Sequence, residues 1–548
     1  MKKTLVLLLS LILVFPAAVV FAEYPGEEAG FKTLDFAPQI VFDEEASEFG
    51  YLGYKFVDEN GNEIQPQYDD IATFANLPSY YRNVNLTPVK NQGKTGGCWA
   101  FSTIGAMEAS LIKQGYYADR LDFSEAHMVY FSKNIRDNIN NDGAESIGTM
   151  AYMAGGNELV ALAAMAKGSG VVSESVMPYD EYTKNLKESP EYEAKAVDED
   201  KRFLCEAGIE SFKMINPASN SAIKQAIMQY GSVINTYHAP TTREEGAAYH
   251  NSVTAAYHCP TSENIDANHA TLIVGWDDNY PKERFNEANR PQNNGAWIVR
   301  NSWGESYGHG GYFYLSYESE LFSTSALKAA YEEYDNNHGY TGGMFYNYAD
   351  DVTVYSNVFT ADSNEVLEAI SFFALESAEV VVSVYKNVVS IPSSGEKVFG
   401  GTLTITNNYN KIKFPEGIQI NEGEKYSIII DGAILCAEPI NESYTLNNGS
   451  SWVYIENRWY YFNDISIRTH TNENRPKITA QIRNNKIETN SKYNNNSILY
   501  IAQYMEDELV DVQIASEATL NTDATRYRVF SWDADMNSTT GYFVEDEI

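Results

Sequence analysis

From about Asn336 onward the apolar residues of this 548-residue chain stop recurring at helical spacing. They come instead in short runs bounded by Asn, Gly and Ser, such as Val352 to Phe359, Ala378 to Tyr385, Gly401 to Ile405 and Lys425 to Ile430. Such runs read as strands, and their succession is the signature of a β-sandwich over residues 336–472. After a polar break at Asn472 to Lys477, further runs at Ile498 to Gln503, Leu509 to Ile514 and Arg526 to Trp532 predict a small β domain over 473–548. Upstream the pattern is mixed. A strong helix begins at Cys98, with Trp99, Ile104, Met107, Leu111 and Ile112 at helical spacing and Gly115 where a C-terminal cap belongs. Two more helices are predicted, at about Ser124 to Lys133 with Ser124 as N-cap, and at about Leu159 to Lys167, stopped by the Gly168 turn. Asp180 to Arg202, dense in Glu and Lys, reads as a solvated insertion or surface loop. Ala270 to Trp276 and Ala296 to Val299 are branched and apolar, as buried strands are. Residues 77–327 are therefore expected to form one α+β unit, helical in its first part and sheet in its second.

Charge narrows the partners. The chain carries 39 Lys and Arg against 75 Asp and Glu, a formal charge of −36. That surface repels phosphate and anionic lipid, which argues against nucleic acid and membrane surfaces. Residues 1–22 read as a secretory signal: Lys2 and Lys3, the apolar run Leu5 to Val20, then Val20-Phe21-Ala22 as a small-residue exit. Cleavage after Ala22 is expected, which places the mature chain outside the cell, secreted or at its surface. No later stretch is long and apolar enough to be read as a transmembrane segment. Residues 23–76 are acidic and tyrosine-rich and read as a prosegment or N-terminal strap. The four cysteines, Cys98, Cys205, Cys259 and Cys436, are too few for a disulfide framework and allow at most one pair once Cys98 is set aside.

The segment Gln92-Gly-Lys-Thr-Gly-Gly-Cys98-Trp-Ala-Phe-Ser places a cysteine in the first turn of a helix, behind two glycines. The partial positive charge and free N–H groups of a helix start favour a thiolate. Gly96 and Gly97 leave room for a substrate backbone, and the Gln92 amide with the Cys98 N–H supplies two donors for an oxyanion. A thiolate needs a proton partner with a pKa near neutrality. His269, at the start of the buried strand Ala270 to Trp276, is that partner. In Trp297-Ile-Val-Arg-Asn301-Ser-Trp303-Gly304 a strand ends in an asparagine able to accept the imidazole N–H, with Trp303 beside it to shield the bond.

These segments, QGKTGGCW, NHATLIVGW and NSWGESYGHGGY, resemble the papain and cathepsin family pattern of QGxCGSCW, a histidine opening a strand, and NSWGxxWGxxGY. The similarity covers roughly Leu77 to Tyr317. It implies a two-lobed peptidase domain, with a helical lobe and a β-barrel-like lobe, that hydrolyses peptide bonds without a cofactor. It also implies Cys98 as nucleophile, His269 as acid-base, Asn301 as orienter and Gln92 as oxyanion donor, with Gly155, Gly156 and Trp303 as substrate-binding residues. Thr95 stands where the family has a cysteine, so the disulfide usual beside the active site cannot form. Gly97 replaces a serine and Tyr307 a tryptophan. His269 and Asn301 follow Cys98 by 171 and 203 residues. These separations exceed the family's roughly 130–150 and imply insertions near Asp180–Arg202 and Thr241–Asn264. The order of a peptidase unit and a strand-rich continuation also resembles bacterial surface peptidases with a lectin-like domain, which implies a protein or peptide substrate and a carbohydrate ligand at the β half. The other reading is a surface adhesion or glycan-binding protein whose peptidase unit is vestigial or self-processing.

Other residues read more plainly. His238, His250, His258 and Cys259 lie close in sequence, but their spacings fit no standard metal-ligand pattern, so loop histidines and no metal are expected. Asp533-Ala-Asp535-Met-Asn537 lacks the glycine and glutamate of a calcium loop and reads as a turn. Tyr454, Trp459, Tyr460 and Tyr461 are expected as core or cross-strand pairs before sugar platforms.

Overall fold

The computed structural model describes residues 39–547 apart from short stretches, the longest at 134–151, 189–196, 341–351, 439–449 and 533–543. The signal at 1–22 and the turn at Asp533 to Asn537 lie outside the described residues. Helix α1 (Cys98–Lys113) is apolar all round and is buried from Cys98 to Ile112, as a central helix must be. It lies between the strands His269–Asp277 and Ser323–Tyr331. Gly97 precedes it with no side-chain cap, so the first-turn N–H groups are left for another acceptor. Gly115, at φ +102, takes the left-handed turn that ends it.

Helix α2 (Glu125–Lys133) is capped by Ser124, whose Oγ accepts the His127 N–H at 3.1 Å. Helix α3 (Glu158–Ala166) is capped by Asn157, which accepts from Leu159 and Val160. The expected loop after Asp180 begins as helix α4 (Tyr179–Glu188) instead. Glu181 and Lys184 face solvent, while Tyr179, Tyr182 and Thr183 form a narrow buried stripe. The second part of the unit is not all sheet either. Helix α5 (Asn220–Tyr230) runs from the Ser219 cap to Gly231 at φ +95, and α6 (Arg243–Tyr249) carries a Thr242/Glu245 capping box.

The sheet beside α1 runs through Ala207–Ile215, Ser323–Tyr331, Val233–Tyr237, His269–Asp277, Ala296–Arg300 and Tyr312–Ser316, each antiparallel to the next. It does not end there. Ser211 pairs with Asn410 in the strand Asn408–Ile420, which continues through Glu365–Ala374, Arg468–Glu473 and Asn336–His338. A second six-stranded sheet, Glu396–Ile405 to Arg458–Tyr461, covers this extension with Tyr355, Val382, Ile428, Ile430 and Val453 in the core between them. Helices are absent beyond residue 336 among the described residues. An α+β unit followed by a β-sandwich is the architecture expected. The C-terminal strands from Lys477–Arg483 onward form two small sheets around Ile482, Ile487, Ile501, Tyr527 and Val529. They dock at the end of α1, where the Tyr116 hydroxyl donates to Gln481 at 2.6 Å.

All four cysteines are free, so the one pair allowed by the sequence does not form. His238 and His258 are bonded to the Asp266 carbonyl and to Ser319, and His250 stacks on Tyr307, so the three point to separate partners. Tyr454 and Trp459 face one another across paired strands, their rings 5.1 Å apart.

The join expected between residues 327 and 336 is continuous inside. Phe373, Tyr409 and Cys436 of the sandwich share one core with Leu159, Leu162, Ile209 and Met214 of the α+β unit. Asp69 of the N-terminal stretch accepts from the Met214 N–H at 2.7 Å, Lys213 at 3.1 Å and Asn408 at 3.2 Å, tying three segments with one carboxylate. The halves should therefore unfold as one cooperative unit. Limited proteolysis is expected to give no stable fragment ending near residue 330; a resistant piece of that kind, keeping its secondary structure after isolation, would show independent domains.

Candidate active site

The start of α1 and two neighbouring strands bring four of the predicted residues together. Cys98 sits in the first turn of α1, its sulfur within reach of the Ala270 and Trp99 N–H groups. His269 opens its strand immediately before Ala270, and the loop ahead of it is fixed by Asn268, whose side chain bonds both the N–H and the carbonyl of Ala239. Asn301 follows the adjacent antiparallel strand, and its Oδ1 lies 2.8 Å from His269 Nε2. The Ser302 N–H also donates to this Oδ1 at 2.8 Å, which keeps the amide oxygen turned toward the ring. An acceptor at Nε2 puts the imidazole hydrogen there and leaves a lone pair on Nδ1. Nδ1 has no hydrogen-bond partner in the described structure. Trp303 stacks on the imidazole at 4.7 Å and 19°, covering one ring face.

Gln92 is held from both ends. Its Oε1 accepts from Ser302 Oγ at 2.6 Å, and its Nε2 donates to the carbonyls of Thr95 at 2.9 Å and Phe49 at 3.3 Å. At the position where the family has a cysteine, Thr95 Oγ1 donates to the Gln92 carbonyl at 2.8 Å and bonds the Tyr179 hydroxyl, which itself reaches that carbonyl at 3.1 Å. A buried hydroxyl network thus replaces the missing cross-link. Nothing local in the sequence points to Tyr179, which lies 84 residues from Thr95.

The cleft over these residues is filled by the chain itself. Strands Gln39–Phe42 and Tyr54–Val57 form a hairpin, and residues 46–53 of its connecting loop lie against Gly96, Gly155 and Gly156. Gly156, one of the expected substrate-binding residues, donates its N–H to the Gly50 carbonyl at 2.9 Å and accepts from Leu52 at 2.8 Å, with Tyr51 in parallel register. Gly155 and Gly156 permit this approach. A Cβ on Gly155 would lie 2.6 Å from the Gly50 oxygen, and one on Gly156 would lie 2.5 Å from the Trp99 ring. The Phe49 ring packs 5.2 Å from His269 and 5.3 Å from Trp303. Phe49, Gly50, Tyr51 and Glu158 are site residues that sequence reasoning did not single out.

Under this loop Cys98 and His269 are both fully enclosed, at 0% exposure. Burial pushes the Cys98 thiol up to about 12 and the His269 imidazole down to about 4. The helix start was expected to favour a thiolate, but in the closed site desolvation outweighs it and both groups stand neutral.

Residues 79–349 match the model of the papain family of cysteine proteases, and residues 333–433 match that of a lectin-like domain. Mouse cathepsin K is 27% identical over 238 residues, 43% of this chain and 58% of that protein. Rat cathepsin 7 is 25% identical over 249 residues, 45% of this chain and 62% of that protein. The chain thus spans about three fifths of the length of the curated relatives it matches. Two solved structures share its fold. The cysteine protease and lectin-like domains of Cwp84, a surface-layer associated protein of Clostridium difficile, superpose with a TM-score of 0.60 at 22% identity, covering 81% of this chain and 99% of that one. A clostridial Cwp84 variant after propeptide cleavage gives 0.59 at 24%, covering 72% and 100%.

Proposed function

We propose that this chain, whose residues 79–349 belong to the papain family of cysteine proteases, is an extracellular endopeptidase held closed by its own N-terminal hairpin. The observation that carries the reading is the imidazole of His269, with Nε2–H on Asn301 and an unpartnered Nδ1, beside the cysteine that opens α1. In the open site Nδ1 takes the Cys98 proton, and the sulfur attacks the substrate carbonyl carbon. The resulting oxyanion accepts from Gln92 Nε2 and the Cys98 N–H, the former being the donor that Phe49's carbonyl engages in the closed chain. The imidazolium then protonates the departing amine, and water, deprotonated by His269, cleaves the thioester to regenerate the thiol. Asn301 keeps the tautomer and Trp303 covers the ring. Loop 46–53 lies along Gly156 where substrate backbone is to lie, so hydrolysis requires its displacement. Propeptide cleavage in the Cwp84 relative is the precedent for that step.

Location outside the cell rests on the Met1 to Ala22 signal and on the surface-layer association of Cwp84. No helix among the described residues is long and apolar enough to cross a membrane. The lectin-like match supports reading the sandwich as a glycan-binding module that brings the peptidase to carbohydrate-bearing surfaces. An adhesion protein with a vestigial peptidase is less well supported, because the Cys98, His269, Asn301 and Gln92 set is complete and hydrogen-bonded.

A thiol-directed covalent peptidase probe tests the proposal. It should modify Cys98 once the loop is displaced, and His269→Ala should lose that labelling at slightly acid pH. Gln92→Ala should lower kcat by about tenfold to a thousandfold with KM little changed, as for one oxyanion donor. A change confined to KM would move Gln92 to substrate binding.

A further inference from the structure

Loop 46–53 leaves one large side chain deep in the cleft. Tyr51 is 3% exposed, its backbone bracketed by the two hydrogen bonds to Gly156. Its phenol reaches the hydroxyls of Ser323 and Thr236, which bond one another at 3.0 Å. Ser323 Oγ passes the chain on, donating to Glu158 Oε1 at 2.9 Å, and the Tyr54 hydroxyl reaches the same oxygen at 2.9 Å. The other carboxyl oxygen, Glu158 Oε2, has no partner although the residue is only 2% exposed. A buried carboxyl with an unfilled acceptor therefore stands at the wall of the Tyr51 pocket, near enough to Cys98 to act on its charge.

Two features separate this from an ordinary buried glutamate. Glu158 is in the first turn of α3, where the helix field favours the anion. One of its two donors, Tyr54, also belongs to the hairpin that must leave for substrate to enter. Once the hairpin is out, Ser323 is the one side-chain donor left beside the residue's own N–H, and an underbonded buried carboxylate is costly unless the incoming group satisfies it. A phenol does not do so, since Oε2 is unpartnered with Tyr51 in place. A side chain of similar reach that carries several donors and a positive charge does.

We propose that Glu158 is a specificity-determining residue, and that the pocket vacated by Tyr51 selects substrates with arginine or lysine at the residue that pairs with Gly156. The inference rests on Cys98 as nucleophile and on the loop lying where substrate lies.

Peptidyl chloromethyl ketones that differ only in presenting Arg, Leu, Tyr or Glu test it on the full-length protein. The varied residue is moved one place along the peptide to find the position that pairs with Gly156. Labelling of Cys98 is followed by mass spectrometry, and the ratio of rates cancels the loop-opening equilibrium, which every probe shares. The Arg probe should label about tenfold to a hundredfold faster than the Leu probe, as for one charge-assisted hydrogen bond, with the Glu probe slowest. In Glu158→Gln the Arg-to-Leu ratio should fall toward one. Equal or faster labelling by the Leu or Tyr probe overturns the proposal in the wild type alone, so it stands on measurement even if the variant misfolds. A ratio unchanged in folded Glu158→Gln overturns the assignment to that residue. Labelling that leaves Cys98 untouched with every probe and with iodoacetamide even after the hairpin has been cut away by limited proteolysis would instead fail the reading of Cys98 as nucleophile.

Discussion

Replacing Cys98 by Ala is expected to lower peptide hydrolysis on the order of a million-fold, as loss of a nucleophile does, while leaving the fold in place. The substitution removes one sulfur. In the closed chain that sulfur is contacted by the Ala270 and Trp99 N–H groups, and its loss leaves a space near that of a methyl group. Such a void costs about 1 kcal/mol, so the melting temperature should move by no more than a few degrees. The other three cysteines provide the contrast. Cys205 bonds the Ala207 carbonyl and Glu332, and Cys436 lies in the core shared by the two halves, so each serves packing. Alanine at Cys205, Cys259 or Cys436 should cost stability and keep turnover. Substantial hydrolysis by purified, folded Cys98→Ala protein would refute the mechanism.

The second large effect is expected from a residue that touches no reacting atom. Gly50 has φ +86, and a Cβ there would lie 2.1 Å from the Gly96 Cα and 2.2 Å from its carbonyl carbon. Both obstacles are backbone, so neither can swing aside. Gly50→Val should therefore expel loop 46–53 from the cleft, with loss of the Gly156 bond to Gly50 and of Phe49 over the imidazole. Cys98 and His269 then regain solvent, and the imidazolium–thiolate pair can form. Alkylation of Cys98 by iodoacetamide near neutral pH should rise by about tenfold to a hundredfold, the equivalent of the 1–3 kcal/mol that a strained backbone position represents. Gly61 supplies the control, since it has a similar φ of +79 with nothing within 4 Å of its Cβ position. Gly61→Val suffers the same backbone strain without the collision, and an equal rise there would remove the role given to the loop.

Burial acts on two groups of the closed site in opposite senses. His269, pushed down to about 4 from an ordinary 6.5, stabilises closure above about pH 6.5, and that stability is lost as pH falls through about 4. Glu158 is pushed up by burial, so its contribution is present at acid pH and is lost as pH rises above the ordinary carboxylate range. In Glu158→Gln the first effect alone remains. Its loop should become more sensitive to an added acid-active protease as pH is lowered from about 6.5 to about 4.

What was legible in the sequence was whatever has a local signature. Glycines before a cysteine at a helix start, a histidine opening an apolar strand and an asparagine closing one are each written within a few residues, and the structure brings the four together. The cleft-filling loop has no such mark. Phe49, Gly50 and Tyr51 acquire meaning only against Gly96, Gly156 and His269, which are 45 or more residues away. Helix α5 does carry the local signal, with Ile223, Ala226, Ile227 and Tyr230 at helical spacing between the Ser219 and Gly231 caps, whereas the seven-residue α6 buries no side chain and shows only its Thr242 cap. Helix α4 shows that a dense run of charge is compatible with a helix when two tyrosines and a threonine suffice to seat it. The continuity of the halves was hidden because alternation in a strand such as Glu365–Ala374 identifies one buried face. That strand is buried on both, with Phe373 turned into the core it shares with α3.

Enclosure of Cys98 also bears on how the chain ages. Peroxide and disulfides react with the thiolate, and the closed chain holds this sulfur protonated and out of contact with solvent. The same hairpin that fills the cleft therefore guards Cys98, the proposed nucleophile, against sulfenic and sulfinic acid formation, without a second cysteine to cap it. Displacement of the loop ends both protections at once. The interval over which an opened molecule stays competent is then set by the oxidants around it, and a population kept closed until needed outlasts one opened at synthesis.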